Sequence, residues 1–188
     1  MILYVETLAV AVRDSNINRK QFKKSTKHFP NKIMEQFLTI NLVLENDNNE
    51  QLSLKVPSIA LYIKTDLYYY SLDNSIANYS YSHKIHVVLT TLLKKWQAKI
   101  EKLPTGMSCF LPFDFSDQYI GCLKLTANPN NIIVGNYGFT QKIMGMMINP
   151  SDMEQFEIEE LDFESDSALF SVSKKELIES IEVSINNL

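Results

Sequence analysis

The sequence has few of the residues from which common catalytic and metal sites are built. Its 188 residues include only two cysteines, Cys109 and Cys122, whose spacing fits neither a disulfide-rich secreted scaffold nor a Cys-x-x-Cys motif. The three histidines, His28, His83 and His86, belong to no His-Glu-x-x-His pattern and to no recognisable nucleophile and base set. We therefore predict reduced thiols, no catalytic residues, no bound metal and no cofactor.

Glycine is scarce as well, and long apolar runs are missing. The chain has five glycines, and the segment Gly135-Asn136-Tyr137-Gly138 lacks the following Lys and Ser or Thr of a phosphate-binding loop. No apolar run reaches the roughly 20 residues that a membrane-spanning helix needs. The first residues lack the basic flank of a secretory signal, and Glu6 interrupts their apolar stretch. These absences predict a cytoplasmic protein that is neither exported nor inserted into a membrane.

The composition that remains is that of a folded globular protein. Apolar residues make up 45% of the chain and charged residues 21%, which is close to the average for folded domains. A chain of 188 residues suits one hydrophobic core, and no internal repeat is visible. We predict a single domain over residues 1–188.

Apolar residues alternate with polar ones along much of the chain, which indicates an antiparallel sheet with one buried face. The clearest pattern lies at 38–44, where every second residue is apolar, and it is followed by turn residues at Asp47-Asn48-Asn49. The predicted hairpins pair 38–44 with 51–56, 109–115 with 119–125, and 121–126 with 132–137. Further strands are predicted over 59–63, 67–70, 156–162 and 168–172.

Two segments carry apolar residues at spacings of three and four, the period of a helix. The first covers 83–103, ends before Pro104, and predicts a long central helix. The second begins at Ser173, which forms a Ser-x-x-Glu capping box with Glu176, and predicts a C-terminal helix over 173–187. Together with the strands, these segments predict an α+β fold in which both helices pack on one face of an antiparallel meander sheet.

Charge is divided unevenly along the chain, although the net charge is only −4. Residues 13–32 hold seven basic residues and one acid, whereas residues 152–182 hold eleven acids and two lysines. Such a division indicates either that the two segments face each other or that one of them meets an oppositely charged partner.

The acidic run and a group of tyrosines are the candidate binding residues. Six tyrosines lie within residues 62–81, and a strand over 67–70 would turn at least one ring outward, where tyrosine makes an effective contact residue. The acids also fit a solvated edge strand whose charges resist aggregation. The residues that we predict to contact a partner are Glu157, Glu159, Glu160, Asp162, Glu164, Asp166, Tyr68 and Tyr70.

The tyrosine-rich strands, together with the acidic segment Phe156-Glu157-Ile158-Glu159-Glu160, resemble the immunity proteins of bacterial polymorphic and contact-dependent toxin systems. The resemblance implies a protein that binds a cognate toxin domain and blocks its active site, and not an enzyme. Many toxins of that class are basic nucleases, with which an acidic protein associates quickly.

Two other classes of function stay open. One is a hydrolase or transferase of an unfamiliar family that uses His83, His86 or the acidic strand. The other is a nucleic-acid or scaffold-binding module that uses residues 13–32 and the tyrosines. An isoelectric point near 5.4 disfavours nucleic acid, because the chain as a whole repels a phosphate backbone.

Overall fold

The computed structural model describes residues 36–44, 50–76, 79–141, 148–152, 154 and 158–188. The predictions for the basic segment 13–32 and for one domain over 1–188 involve residues outside these ranges and stay predictions. In chain order the elements are β1 (Thr39–Leu44), β2 (Glu50–Val56), β3 (Leu61–Thr65), α1 (Tyr68–Leu72), α2 (Tyr81–Lys102), β4 (Ser108–Phe115), β5 (Ile120–Asn128), β6 (Ile132–Thr140), β7 (Glu164–Ser165), β8 (Phe170–Ser173) and α3 (Lys174–Asn186).

The predicted α+β class is confirmed, but the strands of the described residues form two antiparallel sheets and not one. The first sheet has the order β1-β2-β3, and the second has the order β4-β5-β6-β7, with β8 also paired with β6. The three predicted hairpins are present, and Ile40 lies opposite Leu54 as the alternation requires. The chain passes through α1 and α2 between β3 and β4, and this passage separates the two meanders.

The long central helix α2 is confirmed and supplies much of the core. It begins two residues before the predicted start and ends before Pro104. Its buried residues recur at the predicted helical spacing, and Trp96 packs against Phe113 of β4 with ring centroids 6.2 Å apart. Within the described ranges, none of the helices combines the length and the apolar character needed to cross a membrane.

The C-terminal helix α3 is confirmed together with its cap. Ser173 precedes the first turn, and its Oγ accepts a hydrogen bond from the backbone N–H of Glu176 at 3.1 Å. Ile181 is fully buried. Ser184, also buried, accepts a hydrogen bond from the backbone N–H of Ile40 at 3.1 Å. The small serine therefore lets α3 lie against the edge strand β1 and satisfies one of its free backbone donors.

Two of the predicted strands are wrong in their described residues. The stretch 67–70 forms the start of α1, because Asp66 Oδ1 accepts from the backbone N–H of Tyr68 at 2.9 Å and opens a helical turn. The segment predicted as a strand over 156–162 contains instead a short 3₁₀ turn at Glu160–Asp162. The predicted strand over 168–172 is β8, which pairs with β6.

Candidate functional site

Five of the acids predicted to contact a partner lie on or beside β7, at the edge of the second sheet. Four of them are exposed and the fifth is half-buried, and residues 158–169 contain no basic residue. Lys124 of β5 forms a salt bridge with one of them, Glu160. We call the five residues the acidic surface: Glu159, Glu160, Asp162, Glu164 and Asp166. The sixth predicted acid, Glu157, lies outside the described residues.

Two leucines in the same stretch as the acidic surface are strongly exposed to solvent. Leu161 is 95% exposed and Leu169 is 70% exposed. Large apolar side chains held in water at the border of a charged segment are typical of contact surfaces, in which an apolar centre has a polar rim. Both residues lie in segments that were predicted as strands, Leu161 in 156–162 and Leu169 in 168–172, and nothing in the sequence marked either as exposed.

The acidic surface is held against β6 by backbone contacts and by one glycine. Ser165 lies opposite Gly138, and a Cβ atom at Gly138 would lie 2.1 Å from the carbonyl oxygen of Glu164 and 2.5 Å from the ring of Phe163. The backbone N–H of Asp166 also donates to the carbonyl oxygen of Tyr137 at 2.9 Å. The glycine therefore lets residues 158–169, which we call the acidic segment, approach the sheet more closely than any other residue would allow.

A pocket of about 510 Å³ opens beside the acidic surface, between β3 and the second sheet. We call it the aromatic pocket. Asp166 belongs to both the acidic surface and this pocket. The residues of the pocket that matter here are Tyr62, Asp114, Tyr119, Tyr137, Phe139 and Asp166.

Asp114 faces the aromatic pocket because of a β-bulge in β4. The pairing of β4 with β5 shifts between Pro112 and Asp114, which makes Phe113 an extra residue and puts Asp114 opposite Gly121. A Cβ atom at Gly121 would lie 2.0 Å from the hydroxyl of Tyr137 and 2.9 Å from the Cβ of Asp114. Without the bulge, Asp114 would point to the other face of the sheet.

Tyr70 lies beneath this bulge and supports it. The prediction that Tyr70 contacts a partner is wrong, because its side chain is not accessible to one. It is fully buried, and its hydroxyl donates to the carbonyl oxygen of Phe113 at 2.7 Å. A bulge disrupts the ladder, and Tyr70 satisfies the acceptor of the inserted residue. Leu67 is buried on the same side, at the spacing of three that a helix gives. Tyr68, by contrast, is exposed as predicted.

Hydroxyl groups surround the carboxyl group of Asp114. Tyr119 Oη donates to Asp114 Oδ2 at 3.1 Å. Burial raises the pKa of Asp114, side-chain hydrogen bonds from Thr65, Tyr119 and Tyr137 oppose the rise, and the negative charge of Asp66 adds to it. Burial and the charge of Asp114 also raise the pKa of Tyr119 and that of Tyr137. Both tyrosines therefore keep their protons at neutral pH and act as donors.

The two thiols offer no reactive group. Cys109 and Cys122 are both buried and free, and burial raises their pKa values to about 11 and about 12. Thiols with such pKa values stay protonated at neutral pH and are poor nucleophiles.

The histidines that the alternative enzymatic interpretation invokes are both on α2. His83 is exposed and lies against Tyr79 with ring centroids 4.5 Å apart, and His86 is half-buried. Across the described part of the chain, no group of three or more His, Cys, Asp or Glu residues is arranged to hold a metal ion.

A further pocket of about 420 Å³ lies at the end of α2 and is lined by three lysines, but at least two of them already have partners. Lys99 Nζ donates to the carbonyl oxygen of Phe110 at 3.3 Å. Lys95 lies 3.7 Å from a carboxylate oxygen of Asp152. Both lysines therefore form contacts within the chain, and the acidic surface and the aromatic pocket are the stronger candidates for a binding site.

No protein-family model matches the sequence, and neither a curated protein nor a solved structure matches it. The function is therefore inferred from the acidic surface and the aromatic pocket themselves.

Proposed function

We propose that the protein binds a basic protein partner through the acidic surface and inhibits it by covering its active site, in the manner of an immunity protein. The observation that carries the proposal is the exposure of Leu161 and Leu169 within a stretch that holds five acids and no basic residue. Apolar side chains supply contact energy to an interface, and surrounding charges select the partner.

The charges of the acidic surface are better explained by association than by folding. Exposed ion pairs contribute only about 0 to 1 kcal/mol to stability, so the salt bridge between Glu160 and Lys124 adds little to the stability of the fold. A concentrated negative field, on the other hand, speeds the approach of a positively charged protein. This steering weakens as salt screens charges beyond about 8 to 10 Å near physiological ionic strength.

The attachment of the acidic segment to β6 supports the same function. Phe163 packs against Phe110 with ring centroids 5.4 Å apart, and the backbone N–H of Tyr137 donates to Ser167 Oγ at 2.7 Å. A segment that is already ordered loses little conformational entropy on binding, which favours affinity.

The test begins with the partner, recovered from the native host on the tagged protein and identified. The purified partner is then titrated calorimetrically at low and high salt with the wild type, with Glu160→Lys/Glu164→Lys, and with Glu179→Lys/Glu182→Lys on α3 as a matched control of equal charge change. We expect binding to weaken with salt and with the first pair of substitutions far more than with the second. The partner's own activity should fall to background at a stoichiometric amount of the wild-type protein.

Affinity that is independent of salt and equal for both charge-reversed proteins would overturn the proposal. The acidic surface would then be a solvated sheet edge, and the interface would lie elsewhere. If the partner binds but keeps its full activity, the binding part of the proposal would stand and the inhibition part would be excluded.

A further inference from the structure

Negative charge predominates in and around the aromatic pocket. Asp114 lies within it, Asp166 lines it where it meets the acidic surface, and Asp66 is near enough for its charge to raise the pKa of Asp114. Among the described lining residues the basic one is Lys64. Lys55, whose Nζ lies 4.8 Å from the ring centroid of Tyr62, is a second ammonium group nearby. Three carboxyl groups against two ammonium groups leave an excess of negative charge, which favours a cation.

Aromatic rings form the walls of the same pocket. Tyr119 and Phe139 lie with ring centroids 6.1 Å apart at an interplanar angle of 62°. At the rim, the ring of Tyr62 already attracts cations of the chain, since the Nζ of Lys55 is 4.8 Å and that of Lys64 is 5.8 Å from its centroid. Ring faces beside carboxylates are the usual surroundings of a bound organic cation.

The aromatic walls and the hydrogen bonding of the pocket favour a guanidinium group among the cations. A guanidinium is flat, stacks on aromatic faces, and is more weakly hydrated than an ammonium group, so it loses less on entering a partly dry pocket. The hydroxyls of Tyr119, Tyr137 and Thr65 hold the carboxyl group of Asp114 in place. An ionised carboxylate has about four acceptor sites, so three hydroxyls leave capacity for a charged donor.

We propose that the aromatic pocket binds the guanidinium group of an arginine side chain, with Asp114 and Asp166 as its counter-charges and the tyrosine rings as its walls. We assign this arginine to the basic partner, and the assignment of the arginine to that partner rests on the proposed function. Because Asp166 is common to the pocket and the acidic surface, a protein lying on that surface can place a side chain in the pocket. The chemistry of the pocket can be tested without the partner.

The probe is arginine capped at both ends, N-acetyl-arginine methylamide, titrated into the protein with NMR observation of the backbone amides. Its matched control is the equally capped citrulline, which has nearly the same shape and no charge. We expect saturable shifts around residues 114 and 119 with a dissociation constant on the order of millimolar, as befits one side chain. Capped citrulline should produce no saturable shift, and capped lysine should bind more weakly than capped arginine.

Substitutions then locate the site. Asp114→Asn and Asp166→Asn should each weaken binding of capped arginine, the first by about tenfold or more because it removes a desolvated charge. Lys64→Ala should tighten binding by removing a like charge from the pocket. Asp152→Asn is the control, since Asp152 pairs with Lys95 away from the pocket. Asp166 is exposed, so its variant remains informative even if Asp114→Asn impairs folding.

Equal binding of capped citrulline, or affinity for capped arginine that is unchanged in both aspartate variants, would overturn the assignment. The two proposals fail separately. Loss of partner binding in Glu160→Lys/Glu164→Lys without any binding of capped arginine would overturn the pocket alone. Specific binding of capped arginine with partner binding indifferent to that double substitution would overturn the acidic surface alone.

Discussion

Strands β3 and β4 are the neighbouring edges of the two sheets, and they differ in how their side chains are buried. In β3, Tyr62 and Lys64 are exposed, whereas Leu61 and Ile63 are half-buried and Thr65 is buried, so the strand follows a simple alternation. In β4, every residue from Cys109 to Phe115 is buried, and Asp114 is among them. The first sheet is thus organised by local pattern, whereas the second buries a carboxyl group that only surrounding elements can accommodate.

The same contrast separates α3 from the acidic segment. Helix α3 carries its own cap and apolar face, so its formation depends mainly on residues close in sequence. The acidic segment has no such pattern and is positioned by β6, through the space left at Gly138. Departures from simple patterning are where functional sites are expected, and in this protein they coincide with the candidate site.

We expect the largest effect on stability from a substitution in α3, the helix whose formation follows from its local sequence pattern. Replacing the buried Ile181 with Asp places an unpaired charge in the core and should lower the free energy of unfolding by about 3 kcal/mol or more. Val183→Asp, on the exposed side of the same helix, is the matched control and should change it little. Denaturant titrations measure both, and equal midpoints for the two variants would contradict the burial of Ile181.

A smaller and more local effect is expected at the anchor of the acidic segment. Gly138→Ala should push the segment away from β6 and cost up to about 3 kcal/mol, the upper range for overpacking. Hydrogen exchange at the backbone amide of Asp166 should accelerate, because that amide is bonded to β6. Gly106→Ala, in open space at a positive φ of 83°, should reduce stability without changing this amide. Equal protection in both variants would mean that Gly138 does not position the segment.

Tyr70→Phe tests the support of the β-bulge. Removing the hydroxyl leaves the buried carbonyl oxygen of Phe113 without this donor, which should cost about 1 to 2 kcal/mol. Tyr68→Phe, on the exposed side of α1, should be neutral. Thermal and denaturant unfolding of the two variants provide the measurement. If Tyr70→Phe is as stable as the wild type, the bulge does not depend on this contact.

The smallest effect should appear in the pH dependence of stability. Because the folded protein raises the pKa of Asp114, the stabilisation by its protonated form is present below the unfolded value of about 3.9 and is lost as pH rises through the folded value. The stability of Asp114→Asn relative to the wild type should therefore increase from about pH 4 to about pH 7. Glu182→Gln, on the exposed side of α3, serves as the control. A difference between Asp114→Asn and the wild type that decreases with pH would show that hydrogen bonds outweigh burial at Asp114.

Much of the acidic surface was predictable from the sequence, because the charge of a run of acidic residues does not depend on how the segment folds. The pocket was not predictable. Asp114 stands in an apolar stretch where nothing marks it as functional, and a one-residue bulge decides which way it points. The tyrosine run was misassigned because β-propensity favours a strand for aromatic residues, while Asp66 starts a helix there.

The sequence by itself determined the hairpins, the long helix and the capped C-terminal helix, since apolar period and capping are set by residues a few positions apart. Only the tertiary structure decided the division into two sheets, the burial of Tyr70 and the meeting of Asp114 with the rings around it. The hydrogen bond from Tyr70 to Phe113 spans 43 positions, and that from Ile40 to Ser184 spans 144. Such contacts form only when the whole core packs, because closing a long loop is favourable only together with many other contacts.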